Sequence, residues 1–162
     1  MTYIRNVVDG DFESIIKLND FEVQQTSPMN LVRLGSLISL SSYCKVAVIE
    51  GEIAAFLIAL RDRAPYQNDN FDWFSTRFQE FLYVDRVVVG SAFSGRRIGS
   101  DMYRDMFEFA RSQGVANITC EYNIDPPNLA SKAFHDKFGF KEIGTQWVAN
   151  GTKQVSLQAA VI

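Results

Sequence analysis

The sequence has 162 residues, enough to bury one sizeable core and too few to divide readily into two, so a single domain over residues 1–162 is expected. Apolar residues make up 47% and charged residues 22%, with no Pro-rich, Ser-rich or like-charge tract, which excludes a chain dominated by disorder or linkers. A net charge of -3 and a pI near 5.2 exclude general attraction to nucleic acid or to an anionic membrane, since both need a basic footprint.

The chain opens on Thr2 to Val8, a short strand, and the Asp9-Gly-Asp11 turn leads into Phe12, Ile15, Ile16 and Leu18 at helical spacing. Arg5 and the acids that follow stand where a signal peptide would be apolar, and no apolar run approaches membrane-spanning length, so a cytoplasmic location is expected. A second helix follows Pro28, with Leu31, Leu34, Leu37, Ile38 and Leu40 as its apolar stripe. Lys45 to Ile49 and Ile53 to Leu60, on either side of Glu50-Gly51-Glu52, form a hairpin.

Arg61 to Gln79 is a polar connection rich in aromatics, long enough to be an ordered or functional loop. Glu80 to Val89 is a strand with apolar residues on both faces, interrupted by Asp85 and Arg86. Next come a helix from about Gly95 to Gln113, stopped by Gly114, and a strand from Ala116 to Ile124. This strand, helix and strand form a right-handed crossover, so the two strands should be parallel. A short helix from Leu129 to Phe138 ends at Gly139, and a hairpin turning at Asn150-Gly151 closes the chain. The order β-α-α-β-β-β-α-β-α-β-β predicts an α/β (α+β) fold: a mixed, mostly antiparallel sheet of about seven strands flanked by about four helices.

Cys44 and Cys120 lie in strand-like stretches without a Cys-x-x-Cys pair or clustered histidines. They read as reduced, buried thiols, and no metal site is expected.

The most informative stretch is Phe93 to Tyr103, FSGRRIGSDMY. A helix that begins directly after a buried strand aims unpaired N–H groups and a positive dipole end beyond the strand, a natural seat for a diphosphate. Gly95 and Gly99 admit close approach, and Ser94, Arg96, Arg97 and Ser100 add donors. The alternative is a plain surface helix with Ser94 as its cap and solvated arginines. The P-loop and Gly-x-Gly-x-x-Gly patterns are both missing.

Residues 81 to 140 resemble the cofactor-binding core of the GNAT superfamily of N-acetyltransferases. That core has a strand followed by Gln/Arg-x-x-Gly-x-Gly/Ala at a helix start, and later Asn-x-x-Ala-x-x-Leu-Tyr-x-x-x-Gly-Phe. Ser94-Gly-Arg-Arg-Ile-Gly99 falls on the first motif; Asn128, Ser131, Phe134, His135, Gly139 and Phe140 fall on the second. Ser94 replaces the usual Gln or Arg, Arg97 replaces the first glycine, and His135 replaces the tyrosine.

The resemblance implies a V-shaped split between the two parallel strands that admits the pantetheine arm of acetyl-CoA. The backbone of Val87, Val88 and Val89 would pair with that arm, and Ser94, Gly95, Arg96, Arg97, Ile98, Gly99 and Ser100 would hold the diphosphate. Asn128, Phe134, His135 and Lys137 would complete the cofactor site. The implied reaction is transfer of an acetyl group from acetyl-CoA to the primary amine of a small molecule, by direct attack on the thioester in a ternary complex.

Asp85 or Glu121 would serve as base, directly or through water, and His135 as the acid for the thiolate. Asp85 paired with an arginine, and His135 as an ordinary surface residue, are the bland alternatives. The acceptor site would draw on residues 21–30, the aromatic loop and the last hairpin, with Glu22, Asp69 and Asp72 suited to a cationic amine. A coenzyme A-binding module without catalysis, or an interaction domain without nucleotide, remain the alternatives, and a homodimer is common among such proteins. No nucleic-acid or membrane partner is expected.

Overall fold

A computed structural model describes residues 2–21 and 27–162. In chain order the elements are β1 (Thr2–Asn6), α1 (Phe12–Phe21), α2 (Leu31–Leu40), β2 (Tyr43–Ile49), β3 (Glu52–Arg61), α3 (Asp69–Ser75), β4 (Leu82–Val89), α4 (Ile98–Ser112), β5 (Asn117–Asp125), α5 (Leu129–Lys137), β6 (Lys141–Val148) and β7 (Lys153–Val161). The strands follow the order β1-β2-β3-β4-β5-β7-β6 in one seven-stranded sheet. All pairings but one for which a register is defined are antiparallel. The exception is β4 with β5, which run parallel through Leu82↔Ile118 and Tyr83↔Thr119, as the crossover requires.

The mixed α/β class expected from the sequence is the class observed, with one addition. The stretch read as a loop from Arg61 to Gln79 contains α3, a fifth helix. Asn68 caps it: its Oδ1 accepts from Asn70 N and Phe71 N, both at 3.0 Å. Phe71 and Phe74, three residues apart, bury the same face. Local capping and one apolar stripe suffice for seven residues, too short a span for periodicity to stand out.

The chain packs as two compact units. The first comprises 1–60 and 84–109. Ile15, Leu34, Leu37, Val46, Phe56, Ile58, Met102 and Met106 are buried in it. Tyr43 ties β2 to α4, its ring edge-on to Phe109 with centroids 5.4 Å apart and its hydroxyl donating to Asp105 Oδ2 at 2.6 Å. At the start of α1, the Asp11 carboxylate accepts from Val8 N at 2.9 Å and from Arg5 at 2.7 and 2.9 Å, and the Arg5 guanidinium pulls its pKa below the usual value.

The second unit comprises 61–83 and 110–162. Its core is aromatic: Phe71 meets Phe81 and Tyr83 at centroid distances of 5.5 and 5.6 Å, and Phe74 meets the same two rings. Gly144 on β6 is required by the neighbouring ring of Trp73, which a Cβ at that position would overlap.

Candidate functional site

The end of β4 and the start of α4 lie in the first unit. Val88 is buried while Val87 and Val89 are half-buried, and Gly90 N donates to Ala54 O at 2.8 Å, fixing the strand end. One 3-10 turn, Ser91–Phe93, then leads to four exposed residues, Ser94 to Arg97. Gly95 has φ +79 and open space within 4 Å of where a Cβ would stand. Arg97 has φ 61, a left-handed conformation in which a side chain costs about 1–2 kcal/mol.

The backbone at Arg97 takes the conformation a glycine would favour, and its guanidinium is left exposed. The first helical bond of α4 runs from Asp101 N to Arg97 O at 3.0 Å. The first-turn N–H groups of Ile98, Gly99 and Ser100 therefore face outward along the helix axis. Ile98 itself is buried, so only its backbone can serve a ligand. Arg96 lies over the Phe93 ring with its guanidinium carbon 5.7 Å from the centroid. Exposed donors, left-handed backbone and unobstructed space fit a diphosphate.

Asp85, also in the first unit, has a side chain 3% exposed and accepts from Arg86 Nε at 2.8 Å. Arg86 is equally enclosed. It donates to Asn19 Oδ1 at 3.1 Å and to Ser27 O and Oγ at 3.0 and 2.9 Å, while Asn19 Nδ2 also reaches Ser27 O. Arg86 thereby ties α1 and the segment at Ser27 to β4. Glu22, named as an acceptor residue from the sequence, lies outside the described residues.

The remaining candidates lie in the second unit. Glu121 is half-buried on β5; its Oε1 accepts from Tyr83 OH and, at 2.8 Å, from Asn70 Nδ2. Asn70 Oδ1 in turn accepts from Gln146 Nε2 at 3.0 Å. Asn70 and Gln146 were not singled out from the sequence. The Asn68-Asp69-Asn70 run before Phe71 is a helix start, which would have placed Asn70 in an ordered first turn; the long-range contact to Glu121 has no sequence signal.

Asn128 caps α5, accepting from Ser131 N at 3.2 Å. His135, one turn later, is 4% exposed, buried rather than on the surface. Its ring packs against Tyr122, Phe134 and Phe140 at centroid distances of 5.7, 5.2 and 5.1 Å. Nδ1 lies 2.7 Å from the Ser131 carbonyl, which can only accept, so Nδ1 carries the proton of the neutral ring. Burial pushes its pKa down. Lys137, in the last turn of α5, is exposed.

Glu121 and His135 are not neighbours on one face. Glu121 meets α3, while His135 packs on Tyr122, the next residue along β5.

Cys120 is buried and Cys44 only half-buried, a correction to the expectation that both are buried. Desolvation pushes Cys44 up to about 12 and Cys120 well above its ordinary range. Among the described residues no three His, Cys, Asp or Glu side chains group as metal ligands, and no helix is long and apolar enough to cross a membrane.

The family model described as acetyltransferase (GNAT) family matches residues 11–140. The chain belongs to the GNAT acetyltransferase family. Its fold is shared with solved structures of low identity. Ard1 from Thermoplasma volcanium has a TM-score of 0.81 at 14% identity, covering 99% of this chain and 97% of its own. A ribosomal-protein-alanine N-acetyltransferase from Brucella melitensis has 0.77 at 20%, covering 99% of both chains. The NatC complex bound to Gag peptide and CoA has 0.77 at 14%, covering 99% and 98%. No curated protein matches the sequence. The GNAT assignment makes this chain an acyltransferase by class, and the α4 start and α5 are where the two motifs quoted above fall.

Proposed function

We propose that the protein transfers an acetyl group from acetyl-CoA to a primary amine by direct attack, as a single acyltransferase domain over residues 1–162, in the cytoplasm. The observation that carries this reading is the start of α4, where Gly95 and Arg97 hold a left-handed backbone before three outward N–H groups. Ser94 to Ser100 grip the diphosphate, and Val87 to Val89 offer strand backbone to the pantetheine amides. Asn128, Phe134 and His135 face the arm, and Lys137 meets the adenosine phosphate.

Glu121 suits the base better than Asp85. Asp85 pairs with the buried Arg86 guanidinium, whereas the donors seen at Glu121 Oε1 include the neutral Tyr83 hydroxyl and Asn70 amide. The ammonium gives one proton to Glu121, directly or through water, and its nitrogen attacks the thioester carbonyl. The C–S bond then breaks. The second nitrogen proton reaches the departing thiolate through water, with His135 Nε2 on the α5 side of β5 as its last relay, so product amide and free thiol balance with one proton released to solvent. No acyl-enzyme forms, because both cysteine thiols are held neutral at physiological pH.

Two acceptor classes deserve the first assays. The Brucella neighbour is named for a ribosomal-protein alanine, which suggests a peptide with N-terminal alanine; the small-amine reading suggests 2-phenylethylamine. Calorimetry with acetyl-CoA and a thiol-release assay with each amine test the proposal. Saturable acetyl-CoA binding with amine-dependent release of thiol supports it, and absence of acetyl-CoA binding removes it. Binding without turnover across a broad amine panel favours a coenzyme A-binding module instead. The elution volume of the intact protein reads the homodimer.

A further inference from the structure

In the second unit the Glu121 carboxylate is held by a chain of amides that begins two strands away. Glu121 Oε1 accepts from Tyr83 OH on β4 and from Asn70 Nδ2 on α3 at 2.8 Å. Asn70, 8% exposed, accepts at its own Oδ1 from Gln146 Nε2 on β6 at 3.0 Å. A carboxylate ion can only accept, so Asn70 has to turn its NH2 toward Glu121 and its carbonyl toward β6. Gln146, presenting its NH2 to Asn70 Oδ1, matches that orientation, so the donors run in one direction from β6 to Glu121.

The helix that carries Asn70 is itself fixed. Asn70 N donates to Asn68 Oδ1 at 3.0 Å, and Trp73, one turn on, occupies the space that Gly144 of β6 leaves by having no side chain. A connection between β3 and β4 needs none of this to close. What the arrangement achieves is a carboxylate oxygen, Glu121 Oε1, whose position is set from outside its own strand.

Resting on the reading of Glu121 as base, we propose that Asn70 is a positioning residue for Glu121 and that Gln146 orients Asn70 for that task. An amide N–H aimed at a carboxylate oxygen interacts best with the ionised form, the form able to take a proton from an ammonium. In the step served, the nitrogen loses the proton, Glu121 becomes the acid and solvent later recovers the proton. Of the titratable groups, Tyr83 donates to Glu121 and the buried Cys120 thiol adjoins it; α3 adds Asp69 and Asp72 in its first turn, and β6 adds Glu142, engaged by Ser156 Oγ.

The test is an NMR titration of protein carrying 13C at the glutamate carboxyl carbon, with Glu121→Gln assigning the signal. Asn70→Ala removes the donor, and Asn70→Leu removes it at nearly constant size without adding charge, so a fold defect in the first does not silence the second. Gln146→Leu frees the amide to turn. Expected are upward shifts of the Glu121 midpoint, larger for the two Asn70 variants and smallest for Gln146→Leu. With the alanine peptide or 2-phenylethylamine, the acidic limb of kcat should move with it and kcat should fall about ten- to a hundredfold, at unchanged affinity for acetyl-CoA. An unmoved midpoint in both Asn70 variants overturns this inference and leaves the base reading standing. Wild-type turnover in Glu121→Gln instead removes the base reading, and the positioning role with it.

Discussion

Arg97→Gly separates what the backbone at the α4 start does from what the arginine does. The left-handed conformation of Arg97 costs about 1–2 kcal/mol for a residue with a side chain. Glycine relieves it, but makes the unfolded chain looser by roughly 0.4–1 kcal/mol. The variant should therefore be as stable as the parent or more so by about 1 kcal/mol. Its loop is unchanged, so any change in coenzyme A binding belongs to the guanidinium. An exposed ion pair contributes up to about 1 kcal/mol, roughly a fivefold weakening of Kd, with the difference shrinking as salt rises. Calorimetry with coenzyme A at low and moderate ionic strength, beside thermal melts, reads both quantities. If the glycine variant binds as tightly as the parent or more tightly, Arg97 crowds the diphosphate rather than gripping it, and the reasoning fails.

The lowered pKa of His135 predicts a stability that depends on pH. The unfolded histidine protonates near 6.5 and the folded one only at lower pH, so this stability is complete above about 6.5 and is lost as pH falls through the interval between the two; Asp11, lowered from 3.8, adds a loss only in the acid range. Melting curves from pH 8 to 5 should slope in the parent and flatten in His135→Asn. Asp85→Asn leaves Arg86 buried without its counter-charge and should cost about 3–5 kcal/mol by denaturant titration, while a loss below about 1 kcal/mol would show that the pair matters little to the fold. Cys44→Ser with Cys120→Ser should leave amine-dependent thiol release within about twofold of the parent, because neither thiol is ionised near neutrality; loss of turnover with fold intact would restore a covalent route.

Much of this architecture is written locally. The β2–β3 hairpin announces itself through Glu50-Gly51, and α4 through its spacing and Gly114. The crossover rule fixes β4 and β5 as parallel before any coordinates. The start of α4 is legible as a ligand seat for the same reason: its chemistry comes from consecutive residues. α3 is not, because seven residues with one cap and two inward phenylalanines leave too short a pattern beside Tyr66, Trp73 and Phe78. The Glu121 surroundings are less legible still. Glu121 and Asn70 are 51 positions apart, Asn70 and Gln146 are 76 apart, and each residue is unremarkable in its own segment.

Asp85 and Glu121 show why a carboxylate on a strand is an incomplete signal. Both interrupt apolar strands, and both invite the inference that an enclosed acid must have a partner or a perturbed protonation. What distinguishes them is the kind of partner. A guanidinium supplies a full opposite charge at 2.8 Å, and Arg86 is itself held by Asn19 and Ser27, so the buried pair is part of the fold. At Glu121 the donors Tyr83 and Asn70 are both neutral, so a proton arriving there strands no charge on either of them. Enclosure nominates both acids, and the charge of the partner decides which can take and return a proton while its surroundings stay in place.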